Sequence, residues 1–180
     1  MFWFTSDTHY GHNNIIKYSG RPFQHGGEMN EALIANFNSR VGKSDTVYHL
    51  GDFALCHPRR RTEIAYALNG TIHLILGNHD KQVNGEFAKR FASISHYAEI
   101  KLGEHKTVLC HFPFHSWNKS HHGSLHCHGH THGSVPNMGR RRLDVGVDTN
   151  NYFPYSDEEV IKLLTAIPLT KDREYKNNAE

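Results

Sequence analysis

Residues 71–80 read Thr71-Ile72-His73-Leu74-Ile75-Leu76-Gly77-Asn78-His79-Asp80, and this stretch decides the fold class. Its first six residues are a short apolar and β-branched run, the mark of a buried strand. Gly77 ends the run, and three polar side chains follow at once. The same arrangement recurs on either side. Phe2-Trp3-Phe4-Thr5 runs into Ser6-Asp7-Thr8-His9, and Thr46-Val47-Tyr48-His49-Leu50 runs into Gly51-Asp52. Residues 106–110 lead into His111, and Leu125-His126-Cys127 leads into His128-Gly129-His130-Thr131-His132. Open α/β sheets bind ligands at the carboxyl ends of their strands, so this placement gathers distant polar residues along one sheet edge.

Helical patterns separate the strands. Met29, Leu33, Phe37 and Val41 recur at helical spacing over residues 28–41, and Gly42 is a stop signal. Residues 58–68 read as a second helix, and residues 88–91 as the continuation of another. Residues 97–102 and 106–110 form a hairpin pattern around Gly103. Residues 142–147 read as a strand, and residues 156–165 as a helix opened by a Ser-x-x-Glu capping box. Strands alternating with helices predict α/β layering, and the hairpin adds antiparallel pairing, so mixed sheets with helices outside are expected. The reading is one domain over residues 1–169 with a polar tail over 170–180.

Composition narrows the function. A formal net charge of +2 over 180 residues provides no general field for nucleic acid. No run approaches the ~20 apolar residues of a membrane span. The opening residues lack the basic and apolar regions of a signal peptide, which makes a cytoplasmic location the expectation. Cys56, Cys110 and Cys127 are odd in number and widely spaced, so no disulfide framework is expected. The 17 histidines are scattered, and many adjoin Asp, Gly or Asn. That distribution suits a metal site, because neutral imidazole is a common metal ligand.

The ordered blocks Asp7-Thr8-His9, Gly51-Asp52, Gly77-Asn78-His79-Asp80, His111 and Gly129-His130-Thr131-His132 resemble the calcineurin-like metallophosphoesterase superfamily. The resemblance runs from the first strand to about Tyr155. The opening Asp7-Thr8-His9-Tyr10-Gly11-His12 is similar to a phage and bacterial branch of small members; for a phage-encoded chain the compartment would be the host cytoplasm. The resemblance implies a four-layer sandwich of two mixed β-sheets flanked by helices. It also implies two divalent transition metal ions, one held by Asp7, His9, Asp52 and His132 and the other by Asp52, Asn78, His111 and His130. Asp52 would bridge, as a carboxylate can for ions ~3.5–4 Å apart. A nitrogen and oxygen donor set without cysteine suits Mn, Fe, Co, Ni or Zn. The expected reaction is in-line attack by a metal-bound hydroxide, with His79 protonating the leaving oxygen. Asp80 either orients His79 or, the favoured reading, anchors backbone. The chain departs from the protein phosphatases of this superfamily at Leu55, where they carry an aspartate partnered with the catalytic histidine.

The expected partner is a small phosphate ester, touched by His12, Asn78 and His128. Phosphodiesters are favoured, with cyclic nucleotides and nucleotide-like esters the first to consider, because the segment between His111 and Gly129 is too short for a capping domain. Phosphomonoesters and a nuclease role are the alternatives. A non-catalytic scaffold ranks last, since every ligand position and His79 are filled. Residues 111–117 are aromatic and should form a wall beside His111, with packing under a loop ahead of base stacking as its use. The triplets at Arg59-Arg60-Arg61 and Arg140-Arg141-Arg142 read as solvated surface ahead of a nucleic-acid contact. No membrane partner is expected, and the sequence does not set an oligomeric state.

Overall fold

Alternate residues of the first strand face opposite ways, and both ways lead into apolar surroundings. In β1 (Phe2–Thr5), Trp3 packs into one core and Phe4 into another. In β2 (Thr46–His49) and β3 (Thr71–Ile75), Val47, Ile72 and Leu74 join Trp3, while Tyr48 and Ile75 join Phe4. Parallel strands buried on both faces read as continuous apolar runs, which explains the pattern of residues 71–76. A computed structural model describes residues 1–169, and it shows two mixed sheets packed face to face through the Phe4 core.

The first sheet has the order β4-β3-β2-β1-β9, with β4 (Phe91–Ser95) to β1 parallel and β9 (Tyr155–Ser156) antiparallel. Its outer face is covered by α1 (Asn13–Tyr18), α2 (Gly26–Arg40), α3 (Pro58–Ala67) and α4 (Gly85–Lys89), through Ile15, Met29, Leu33, Phe37, Ile64 and Phe87. The second sheet has the order β5-β6-β7-β8. Its β5 (Tyr97–Leu102) and β6 (His105–Cys110) form the expected hairpin, and β7 (Leu125–His128) and β8 (Arg142–Asp144) continue in parallel. Leu109, Leu125 and Cys127 face the first sheet, together with Val160 and Leu164 of α5 (Asp157–Thr165). On the other face, Phe114 and Trp117 cover His126, and a 3₁₀ turn at Ser120–His122 lies in the same connection. All three cysteines are free, and no helix among the described residues is long and apolar enough to cross a membrane.

Most boundaries fall within two residues of the sequence reading, and two differ in kind. The pattern at residues 88–91 predicted helix, yet α4 stops at Lys89 and Phe91 opens β4. Arg90 accounts for the break: its guanidinium donates to the carbonyls of Ala65, Leu68 and Gly70, which ties this point to the end of α3 and starts the pairing with β3. The strand expected over 142–147 ends at Asp144, whose Oδ1 accepts the Gly146 N–H and turns the chain into a 3₁₀ turn at Val147–Thr149. The capping box of α5 is present, with Ser156 Oγ accepting from Glu159 N and Glu159 Oε2 accepting from Ser156 N. The tail at 170–180 lies outside the described residues.

The core between the sheets sets the stability. Leu109 is fully buried there, so Leu109→Ala is expected to cost ~2–5 kcal/mol. Ser156→Ala removes only a helix cap and should cost ~1 kcal/mol. Urea denaturation of the two variants checks the order.

Candidate metal centre

Parallel pairing of β1, β2 and β3 aligns their carboxyl ends, and the pairing continues past the strands. Asp7 N donates to the Gly51 carbonyl, His9 N to the Asp52 carbonyl and Tyr10 N to the Phe53 carbonyl. The loops after β1 and β2 therefore run side by side. The second sheet joins them where His130 N donates to Asp7 Oδ2 and Val147 N to the Ser6 carbonyl. This close approach needs Gly129, because a Cβ there would collide with Ser6 Oγ and Asp7 Oδ2. Asp7, His9, Asp52, His130 and His132 all take positive φ between 48° and 71°. Non-glycine residues adopt that region at a cost of ~1–3 kcal/mol each, and such strain clusters at functional sites.

The polar atoms converge as acceptors. Asp52 Oδ1 receives the His79 backbone N–H at 2.9 Å. Asp52 Oδ2 lies 3.6 Å from His9 Nε2, 3.6 Å from His111 Nε2 and 4.0 Å from His79 Nε2. Asp7 Oδ1 lies 4.0 Å from His9 Nε2 and 3.9 Å from His132 Nε2, and it has no hydrogen-bond partner. His111 Nδ1 is 2.7 Å from the Leu50 carbonyl, which can only accept, so Nδ1 carries the proton. In the neutral ring Nε2 is then a bare lone pair, and it sits 3.1 Å from Asn78 Oδ1. His132 follows the same logic, with Nδ1 2.6 Å from Asp148 Oδ2. Both ring nitrogens of buried His9 lack partners. At His111 Nε2 a lone pair thus faces the oxygens of Asn78 and Asp52 with no proton between them, and these repel unless a cation lies there.

The donor set therefore fits metal. Atoms of Asp7, His9 and His132 lie within 4.8 Å of one another, as do those of Asp7, Asp52 and His111. Asp7 falls in both groups, which brings the two clusters edge to edge. Burial pushes the Asp7 carboxyl up to about 7 and His9 down to about 2, both toward the uncharged form. His130 is also lowered, mainly by burial. His132 moves the other way: burial opposes its protonation, but the Asp148 bond and the Asp7 charge outweigh it.

Several supporting residues escaped the sequence reading. The Arg21 side chain is fully buried beneath the site, donates to the backbone carbonyls of Asp7 and Thr8, and forms a two-pronged pair with Asp148 at 2.7 and 2.8 Å. Asp148 holds both Arg21 and His132. Asp144 Oδ2 accepts from Thr131 Oγ1 and Gly133 N, clamping the loop that carries His130 and His132. His49 joins the two ligand loops. The Thr8 hydroxyl donates to the Phe53 carbonyl, so it accepts from His49 Nε2, while His49 Nδ1 accepts from Gly51 N. The visible signal for this layer was the pair of acids flanking Gly146; nothing in periodicity marks Arg21 or His49. Asp80 accepts backbone N–H groups from Asp52, Phe53 and Gly77, so it is the anchor of the two readings considered.

The remaining expected site residues are placed as follows. His79 is 44% exposed in its side chain, with its ring 5.5 Å from His9. Asp52 is the one carboxylate within 4.0 Å of the His79 ring among the described residues. His12 precedes the first turn of α1 without a side-chain capping bond, and its ring lies 5.6 Å from that of His9. His128 is 2% exposed, with Nδ1 against the Gly129 carbonyl and its ring beside His126. Its buried ring packs under the loop that carries His130 and His132.

This chain belongs to the calcineurin-like phosphoesterase superfamily, whose domain profile matches residues 2–144. It is 37% identical over 167 residues to an uncharacterised protein of Methanocaldococcus jannaschii, covering 88% of each chain. It is 30% identical over 189 aligned positions to the gene 66 protein of Mycobacterium phage L5, covering 87% of this chain and 90% of that one. Among solved structures, a protein of unknown function from Aquifex aeolicus superposes with a TM-score of 0.74 at 28% identity, covering 91% of this chain and 98% of the other. Family membership and the converging donors together support metal-dependent hydrolysis of phosphoesters.

Asp148→Ala should strip Arg21 of its partner while leaving the guanidinium buried. That is expected to cost ~3–5 kcal/mol of folding stability. It should also weaken the His132 side of the centre ~10–100-fold in metal affinity. Denaturation of the metal-free protein and titration with Mn measure the two effects separately.

Proposed function

We propose that this chain hydrolyses phosphodiesters at a centre of two divalent transition ions. Asp7, His9, Asp52 and His132 would hold one ion; Asp52, Asn78, His111 and His130 would hold the other. The observation that carries this reading is Asp52 Oδ2, equidistant at 3.6 Å from the Nε2 atoms of His9 and His111. One oxygen facing both donor groups, while the other is fixed by a backbone amide, is the arrangement a bridging ligand needs. Bound ions would activate water and neutralise charge on the phosphoryl oxygens.

The chain's own residues supply the rest. His79 is fixed by its backbone to Asp52 and keeps an exposed imidazole above that carboxylate, which suits a general acid for the leaving oxygen. Asp52 Oδ2, 4.0 Å from its Nε2, is the carboxylate that faces it. His12, at the start of α1 beside His9, is the residue we assign to a phosphoryl oxygen. What favours diesters is the path of the connection from β6 to β7: Phe114 and Trp117 pack on His126, against the outer face of the second sheet. The centre is thus left open to a substrate with an ester group on each side. A cytoplasmic location accords with this reading.

The deciding experiment compares bis-4-nitrophenyl phosphate with 4-nitrophenyl phosphate after loading with Mn or Ni. Preference for the diester is expected; preference for the monoester would replace this reading with a phosphatase. Asp52→Asn should lose both metal occupancy and hydrolysis, and wild-type turnover in that variant would remove Asp52 from the bridge. His79→Ala should keep both ions and slow turnover ~10²-fold or more, most for poor leaving groups. Equal losses on good and poor leaving groups would exclude the acid role.

A further inference from the structure

The connection after β6 carries Phe112, Phe114 and Trp117, and the fold uses them differently. Phe114 stacks on His126 at 5.1 Å, with the rings 9° from parallel. Trp117 is buried, and its Nε1 donates to the Ser124 carbonyl. Phe112 is left 44% exposed. Its seat is nevertheless fixed, with its centroid 5.0 Å from the His111 ring and 4.8 Å from the His130 ring, at 79° and 65°. His111 in turn is fully buried and bonded at Nδ1 to the Leu50 carbonyl.

An exposed apolar side chain needs no explanation by itself. Phe112 differs because it borders two side chains assigned above to the second ion and is seated against both. An aromatic held in place this way loses little freedom when a flat group stacks on it. The other exposed aromatic near the centre, Tyr18, is 76% exposed, and its ring lies 6.4 Å from His12 rather than beside a ligand.

The position of His79 decides which end of a diester would meet Phe112. The His79 ring lies against His9, on the side of the first ion, whereas Phe112 lies against His111 and His130. The leaving oxygen must sit near His79, so the ester group that stays on phosphorus points toward Phe112. We infer that Phe112 is a stacking platform for a nucleobase carried by the retained ester group, making the substrate a nucleotide diester. This rests on the phosphodiesterase reading above.

The test holds the leaving group constant. Thymidine 5′-(4-nitrophenyl) phosphate and methyl 4-nitrophenyl phosphate both release 4-nitrophenol. In each, water oxygen bonds to phosphorus and one of its protons leaves to solvent, the bond to the nitrophenyl oxygen breaks, and that oxygen takes a proton from His79, which solvent then reprotonates. The retained group is thymidine in one and methyl in the other. In Phe112→Leu, which keeps apolar contact with the histidines, kcat/KM for the thymidine ester should fall about tenfold through KM. The methyl ester and a metal content of two should be unchanged. Phe112→Trp should restore the preference, and Tyr18→Leu should not alter it.

An unchanged ratio in Phe112→Leu, an equal loss on both esters, or a loss appearing instead in Tyr18→Leu would each overturn the platform. Calorimetric binding of thymidine 5′-monophosphate against methyl phosphate repeats the comparison without turnover. If neither ester is hydrolysed, the phosphodiesterase reading fails. The platform then stands or falls on whether Phe112→Leu weakens nucleotide binding alone.

Discussion

Two buried carboxylates, Asp7 and Asp52, face the Nε2 atoms of His9, His111 and His132, and the surrounding structure is organised by that constraint. Burying an ionised group without compensation costs several kcal/mol even after relaxation. The protein meets part of this cost with backbone amides: His130 N on Asp7 Oδ2 and His79 N on Asp52 Oδ1. Each carboxylate is thereby left with one oxygen directed at histidine nitrogens. Direction matters here as much as charge. The amides fix which oxygen is spent on structure and which remains for a cation, and the Leu50 carbonyl and Asp148 do the same for His111 and His132.

Holding such atoms together is unfavourable on its own, and the strain is visible in the backbone. Five of the seven proposed ligands lie in the left-handed region, each following a strand that ends in mid-fold. They persist there because the adjacent chain is over-determined. The loops after β1 and β2 pair through Asp7, His9 and Tyr10, and Asp80 collects three amides beneath Asp52. Asp144 fastens the loop of His130 and His132. The cost of the site is thus offset by bonds a residue or two away from it.

That division explains what could be read in the sequence. Strands such as residues 71–76 announce themselves because burial on both faces leaves His73 as the one polar interruption between Ile72 and Leu76. The ligands follow because each stands immediately after such a run, and their order along the chain matches a known family. The fold class and the convergence of Asp7, His9, Asp52, Asn78, His111, His130 and His132 at one end of the sheets were legible for those reasons. The β4 strand was not: its outward residues are small or exposed, and its start depends on Arg90 reaching three carbonyls of a distant helix end. Arg21, His49 and Asp148 were hidden for the same reason. A buried side chain that bonds across 41 or 127 residues of sequence leaves no local pattern.

His49 shows how far the support extends. Burial lowers its pKa to about 3, so the ring is neutral throughout the range in which the site would operate. The Thr8 hydroxyl gives its single hydrogen to the Phe53 carbonyl, which forces His49 to carry its own proton on Nε2 and leaves Nδ1 to accept from Gly51. One ring thus links the residue between Asp7 and His9 to the residue before Asp52. A charged imidazole would present a second donor to the Gly51 amide, and donor would face donor. The neutrality imposed by burial is therefore part of what keeps the two ligand loops in register, and through them the spacing of the carboxylates.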